Sequence, residues 1–542
     1  MCIKVCSPAV LAVVLLAVPA AAAFRQDSDF DQLSAALGPT APTGDGVKVA
    51  HVEGHSGDRI DAETGLPLDG RFDYAPDPSD GEFQNPAKNL HVVVPPSTPG
   101  ADISSHATLS SHSIYGNSVS IAPGITDVDV YYAGHWLGDA FLRFASTAPP
   151  RVAAPGTALS PSARLGVHPW IDDARNGLVN LELLSRLDWV VHQDNFIQIV
   201  GVGNGRQNPP LPLLADAFNA ISVGRIEGEH VMGTTNVSST LYQAGRTRPD
   251  IVVPGTGSTS HATTSLASAV ALLIETARRG GTALSNGIVP TRDANPGGAP
   301  NVQTIQHAET AEVIRAVLMA SADRQAVSDH DNNGHFDSYV ANTSNGLNDR
   351  YGAGQLAIFS AHQIIAAGEQ DSRQRGNLTA IGARGFDYEP SFADGDVATY
   401  EFTAFAPTLF TASLVWHLDV DINKVVWVNG DFNPQLTSAA ELHNLDLFLY
   451  DQRDDALVAS STSATENTEH LHIPDLRPGD YRLEVLPKPG QSFNWDYGLA
   501  WQAVVVPEPS GLAVLVVTLL ASGQLKKSRL SLHRSKRNPP PS

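Results

Sequence analysis

The chain has 542 residues, 42% hydrophobic and 17% charged, with a formal net charge of −22. That length exceeds one compact domain, and the apolar share excludes a disordered chain. The acidic balance repels polyanions, which excludes nucleic acid as a partner.

The chain opens with MCIKVCSPAVLAVVLLAVPAAAAF, a lysine followed by an apolar run and a small-residue end. This is the order of a secretory signal peptide over residues 1–23, cut near Ala23, so an exported protein is expected. Both cysteines, Cys2 and Cys6, fall inside it. The exported chain would then carry no disulfide and no thiolate metal site. Residues 24–45 read as a short polar lead.

Over 46–370 strands alternate with helices. GVKVAHVEG, FIQIVGVGNG, NAISVGRI and PDIVVPG are apolar runs of strand length that stop at loop-forming residues. A long helix follows Ser260, and HAETAEVIRAVLMASA places Val313, Ile314, Val317 and Leu318 at helical spacing. Such alternation predicts a mostly parallel sheet flanked by helices, with sites at the C-terminal ends of strands. Over 371–505 the texture changes to alternating strands separated by polar turns, among them ATYEFTAF, LDLFLYD and YRLEVLP. This predicts an all-β sandwich domain.

The C-terminal region, 506–542, runs from Pro507-Glu508-Pro509 through an apolar segment to a basic cluster beginning at Lys526. The apolar run is marginal for crossing a bilayer. The order resembles the PEP-CTERM sorting signal of exported bacterial proteins. That resemblance implies an exosortase-type processing enzyme as partner, transient membrane association through this segment, and a final place in the cell envelope or outside the cell.

Four segments lie at strand ends or helix starts, in the order GVKVAHVEGHSG, SSHATLSSHSIYGNSVSIAPGI, QIVGVGNG and GSTSHATTSLASAVALLIE. Taken together they resemble the subtilase (subtilisin-like serine protease) family over residues 46–365. The resemblance implies an α/β fold with a subtilisin-like sheet and a serine endopeptidase acting on protein or peptide. It implies that Glu53 orients a histidine, where the family has aspartate. His106 is the implied general base, with His112 as competitor; only His106 keeps the spacing to SIAPGI. Asn204 is the implied oxyanion-hole donor. Ser260 is the implied nucleophile, because starting from Ser265 throws the later Val-Ala out of step. Ser260 would also sit at a helix N-terminus, where the backbone favours an anion. Sedolisin-type proteases also use a glutamate and a serine, but no histidine base. His106 therefore favours the subtilisin-like mechanism.

Two departures stand beside Glu53. Ser258 replaces the family's glycine and Thr264 its proline. They sustain a rival expectation, a catalytically weak or inactive surface or matrix binding protein on the same fold. The segment LGVHPWIDD resembles a family loop without its small serine, and residues 24–45 are too short for the family's pro-domain. This chemistry requires no cofactor. The candidate ion is calcium, at DHDNNGHFDSYV, where Asp329, Asp331, Asn333 and Asp337 take calcium-loop offsets. The twelfth position there is Val340 rather than a bidentate glutamate, and an acidic turn is the plainer reading.

Overall fold

The computed structural model describes residues 20–55, 70–96, 98–146, 148–150, 163–171, 177–205, 213–233, 246–293, 301–327, 329–330, 336–337, 339–425, 439–490 and 492–506. Residues 1–19 of the expected signal peptide and the whole apolar and basic part of the expected sorting signal lie outside them. So do Asp331 and Asn333 of the calcium candidate, whose flanks, Asp329–His330 and Phe336–Asp337, pair antiparallel. Among the described residues no helix is long and apolar enough to cross a membrane.

The first unit is built on a seven-stranded sheet. Its strands are β1 (Val49–Glu53), β2 (Asn89–Val93), β3 (Asp127–Tyr132), β4 (Leu165–His168), β5 (Ile197–Gly201), β6 (Ile221–Arg225) and β7 (Ile251–Val253). They stand in the order β2-β3-β1-β4-β5-β6-β7, and every pair is parallel. Side chains alternate between faces with a period of two. Val49, Leu165, Val167, Ile199 and Val223 join one core, and Ala50, Val52, Val200 and Val202 join another. A sheet buried on both faces explains why its strands read as apolar runs.

The helices are α1 (Ala20–Asp27), α2 (Phe30–Leu37), α3 (Ser105–Tyr115), α4 (Gly177–Asp194), α5 (Thr259–Gly280), α6 (Ala311–Ser321) and α7 (Ile358–Ala366). α5 lies across β4, β5 and β6, and α3 packs on it. The approach is close at Gly201, where an added Cβ would meet Thr263 Oγ1 at 2.6 Å. The short lead, residues 24–45, carries helices and is docked on the first unit. Phe24, Phe30 and Leu33 are buried in the main core, and the Glu275 carboxylate of α5 accepts from the backbone N–H groups of Thr43, Gly44 and Asp45.

The second unit is the expected sandwich. Two four-stranded antiparallel sheets face each other around Trp416, Trp501, Tyr497, Leu447 and Leu483. It is fused to the first unit through α6, all of whose residues are buried. The Ala320 carbonyl, near the end of α6, accepts from Thr411 Oγ1 and Gln502 Nε2 of the sandwich at 2.6 and 2.9 Å. The fold class is the one expected, a parallel sheet flanked by helices and followed by antiparallel sheets.

Candidate active site

In the sheet order, β1 lies between β3 and β4, so the winding reverses there and the strand ends open a crevice. Glu53 is the last residue of β1 and is buried. Its Oε2 lies 3.0 Å from His106 Nδ1, and its Oε1 lies 3.1 Å from His51 Nε2. Burial pushes the Glu53 carboxyl up, but the hydrogen bonds from His106 and His51 outweigh it and hold it down at about 2. Glu53 is therefore an anion between two imidazole donors.

His106 sits in the first turn of α3, a helix capped by Ser104, whose Oγ accepts from the Ala107 N–H at 3.2 Å. The hydrogen bond to Glu53 raises the His106 pKa above the ordinary value of 6.5, against the opposing pull of partial burial. With Nδ1 donating to the carboxylate, the neutral ring carries its lone pair on Nε2. The competitor His112 lies two turns further along α3 and pairs with Asp80 at 3.2 Å, not with Glu53.

Ser260 is the second residue of α5. Its Oγ donates to the Pro169 carbonyl, just after β4, at 2.7 Å. Among the described residues no hydrogen bond joins Ser260 to His106. The next residue, His261, is pushed down by burial and then by the charge of His106. Ser265 is a buried residue of the second turn, with its carbonyl accepting from Ser268 Oγ.

Asn204 follows β5. Its Oδ1 accepts from both the N–H and the Oγ1 of Thr259, at 2.9 and 3.1 Å. This fixes the amide so that its donor end, Nδ2, is the unengaged one. The Thr259 N–H is thus taken by Asn204, and the His261 N–H by Ser258 Oγ at 3.2 Å. The Ser260 N–H between them has no intrahelical partner, as the start of a helix requires. Among the described residues, the Ser260 N–H and Asn204 Nδ2 are thus two donors without a partner.

The substitution of glycine by Ser258 has a local reason. Ser258 is the N-cap of α5, at φ −152° and ψ 162°, an extended conformation open to any residue, and its hydroxyl replaces water on the His261 amide. Thr264, in the place of proline, turns its Oγ1 back to the Ser260 and His261 carbonyls at 3.1 and 3.0 Å. The hydroxyls of this helix start are satisfied by the preceding turn, which lets them be buried.

The sequence reading did not assign His51, Ser111 or Tyr115 to this site. Behind Glu53, the Tyr115 and Ser111 hydroxyls reach His51 Nδ1 at 3.4 and 3.3 Å. His51, two residues before Glu53 on the same strand face, and the hydroxyls one helical repeat apart on α3 were the available signal.

A groove beside His106 is lined by Asp73, Asp77, Ser104, His106, Leu109 and His112. A second, lined by Phe24, Leu109, His112, Gly255, His261 and Ser265, continues toward α5.

No family model and no curated protein matches the chain. Among solved structures it is similar to a cold-adapted subtilisin-like serine proteinase, at 15% identity and a TM-score of 0.27, over 43% of this chain and 77% of that one. It is similar to a lanthipeptide protease at 13% identity and a TM-score of 0.31, over 63% of this chain and 94% of that one. The pre-peptidase C-terminal domain of a Bacillus anthracis collagenase overlaps 23% of this chain and 93% of its own, at 16% identity and a TM-score of 0.16. Overlaps of this size assign no activity, and the functional reading rests on the geometry of the crevice.

Proposed function

We propose that the chain is an exported serine endopeptidase of the subtilisin-like type, with a Ser260-His106-Glu53 triad and an Asn204 oxyanion donor. The observation that carries the reading is the buried Glu53 anion bonded to His106 Nδ1, beside a helix start where Asn204 is bonded to Thr259, the residue before Ser260. A carboxylate on Nδ1 fixes the tautomer that a base needs and stabilises the imidazolium that forms.

The chemistry follows from the donors and acceptors. The mechanism requires Ser260 Oγ to leave the Pro169 carbonyl for His106 Nε2. Proton transfer to His106 accompanies attack of Oγ on a peptide carbonyl. The developing oxyanion is met by Asn204 Nδ2 and the Ser260 N–H, donors of a kind worth about 2.7–4 kcal/mol each in the transition state. His106 then gives its proton to the leaving amine, and water repeats the sequence on the acyl-enzyme.

The same reading places the protein outside the cytoplasm or in the cell envelope. It is led there by the signal peptide and held or released through the PEP-CTERM-like region by an exosortase-type enzyme. Calcium would be a structural ion if the 329–337 loop takes one.

The Ser260-to-Pro169 hydrogen bond favours one rival, a silent fold that binds protein without cutting it. The two separate by casein hydrolysis with purified chain. Turnover by the wild type and its loss in Ser260→Ala, with unchanged circular dichroism, is the expected result; equal residual hydrolysis in both proteins sinks the protease reading.

A further inference from the structure

The seam between the two units holds a cluster of ligating side chains that the crevice does not use. Glu312 lies in the first turn of α6, which is capped by Thr310. The sandwich strand Asn494–Val505 lies directly on this turn. A Cβ at its Gly498 would come 2.7 Å from the Glu312 carbonyl carbon and 3.0 Å from the Glu312 Cβ, so only glycine permits the approach. Asp496, two residues earlier on that strand, shares the same face. His417 comes from the sandwich, just after the strand Thr408–Val415, and His192 from the last turn of α4.

These side chains converge without satisfying one another. Ligand atoms of His192, Glu312 and His417 all lie within 4.8 Å of each other. Asp496 Oδ1 is 3.9 Å from His192 Nδ1. The Glu312 and His417 side chains are each 1% exposed. Yet among the described residues Glu312 Oε2, both ring nitrogens of His417, His192 Nδ1 and Asp496 Oδ1 have no hydrogen-bond partner. His417 Nδ1 and Glu312 Oε1 are 2.6 Å apart but lack the angles of a hydrogen bond. Buried polar atoms are normally partnered, so a group of orphans facing one point needs a partner that is not a side chain.

We propose that His192, Glu312, His417 and Asp496 bind a divalent transition ion of the zinc class at this seam. Two imidazoles and two carboxylates are a zinc donor set, and the imidazoles argue against calcium or magnesium. Zinc–donor distances of about 2.0–2.2 Å set tetrahedral ligands roughly 3.3–3.6 Å apart; the atoms of His192, Glu312 and His417, within 4.8 Å of one another, and Asp496 Oδ1, 3.9 Å from His192, would close to that spacing around the ion. The charges also balance. The surroundings orient the donors: Tyr388 OH holds Asp496 Oδ2 at 2.5 Å, leaving Oδ1 for the ion. The Trp495 ring stacks on His192 with centroids 4.4 Å apart, and its Nε1 donates to the His417 carbonyl at 2.9 Å. Such outer contacts fix ring and carboxylate orientation in metal sites. With ligands from both units, the ion clips the sandwich to the parallel-sheet unit, independently of any protease activity.

The test uses the full chain without a histidine tag, stripped with a chelator and titrated with cobalt(II), then zinc. A visible d–d absorption of tetrahedral type is expected, saturating at about one equivalent of cobalt and displaced by zinc. His192→Gln, on a partly exposed helix end, and the isosteric Glu312→Gln should each weaken binding more than about tenfold. X-ray absorption of the zinc-loaded wild type should show two imidazole ligands, and this needs no variant. The proposal is overturned if the folded wild type gives no cobalt band, if both variants bind as the wild type does, or if the zinc spectrum lacks two imidazoles.

Discussion

Glu53 carries one more methylene than the aspartate of the family it resembles, and the longer reach is used on both sides. One oxygen meets His106, and the other meets the buried His51. Since Glu53 raises the His106 pKa, the base is protonated up to a higher pH than a free histidine. Activity that needs neutral His106 is thus expected to rise with pH through a limb lying above about 6.5. Glu53→Gln removes the raising interaction, so the limb should move to lower pH while kcat falls about 10³–10⁴-fold. A pH profile of kcat/KM on both proteins checks this; an unmoved limb would mean that Glu53 does not tune His106. Asn204→Ala should lower kcat about 10²–10³-fold with little change in KM, because its amide acts on charge that develops only in the transition state. Steady-state kinetics separate the two parameters. The order carboxylate, histidine, amide, serine was read from the sequence, and Glu53 and His106 are the pair that the structure joins. The contact of His51 with Glu53 was not read, although GVKVAHVEG reads as a strand and residues two apart on a strand share a face.

α5 shows what one cap does for a helix start. Ser258 replaces a glycine that the family pattern led us to expect, and the extended backbone there makes glycine unnecessary. Ser258→Ala deletes the acceptor on the His261 amide and should cost about 1 kcal/mol, whereas Ser258→Gly should cost only a few tenths. Thermal unfolding of the two variants measures the order, and equal loss in both would remove the cap from the account. The helix itself was readable from its apolar face. β3 was not read as a strand because Asp127 and Asp129 interrupt DVDVYY. The fold neutralises Asp129 with Lys48 from the start of β1, at 2.9 Å in a buried pair. The docking of the short lead was not legible either, because Phe24, Phe30 and Leu33 are isolated apolar residues in a polar segment until the core that receives them exists.

Across the whole molecule, buried hydrogen bonds join the two units. Asn219, two residues before β6, donates to the Asp188 and Leu418 carbonyls at 2.9 and 3.3 Å and accepts from the Leu418 N–H at 2.7 Å. Asn467 ties the same place from the sandwich side, donating to the Phe218 and Trp416 carbonyls. Asn219→Leu leaves the Leu418 amide buried without a partner and is expected to cost about 2–3 kcal/mol. Urea unfolding should show one cooperative transition moved to lower denaturant; two separated transitions would mean that the sandwich is an independent spacer. Both fold classes were legible from periodicity, and their fusion was not, since the seam is made of isolated polar residues far apart in sequence. The central claim is that Ser260 is a nucleophile activated by His106. Intact-protein and peptide mass spectrometry after treatment with a fluorophosphonate tests it most directly. One adduct on the peptide containing Ser260, absent in His106→Ala, is the expected outcome; folded wild-type protein that stays unmodified, or an adduct on Ser265 or elsewhere, contradicts it.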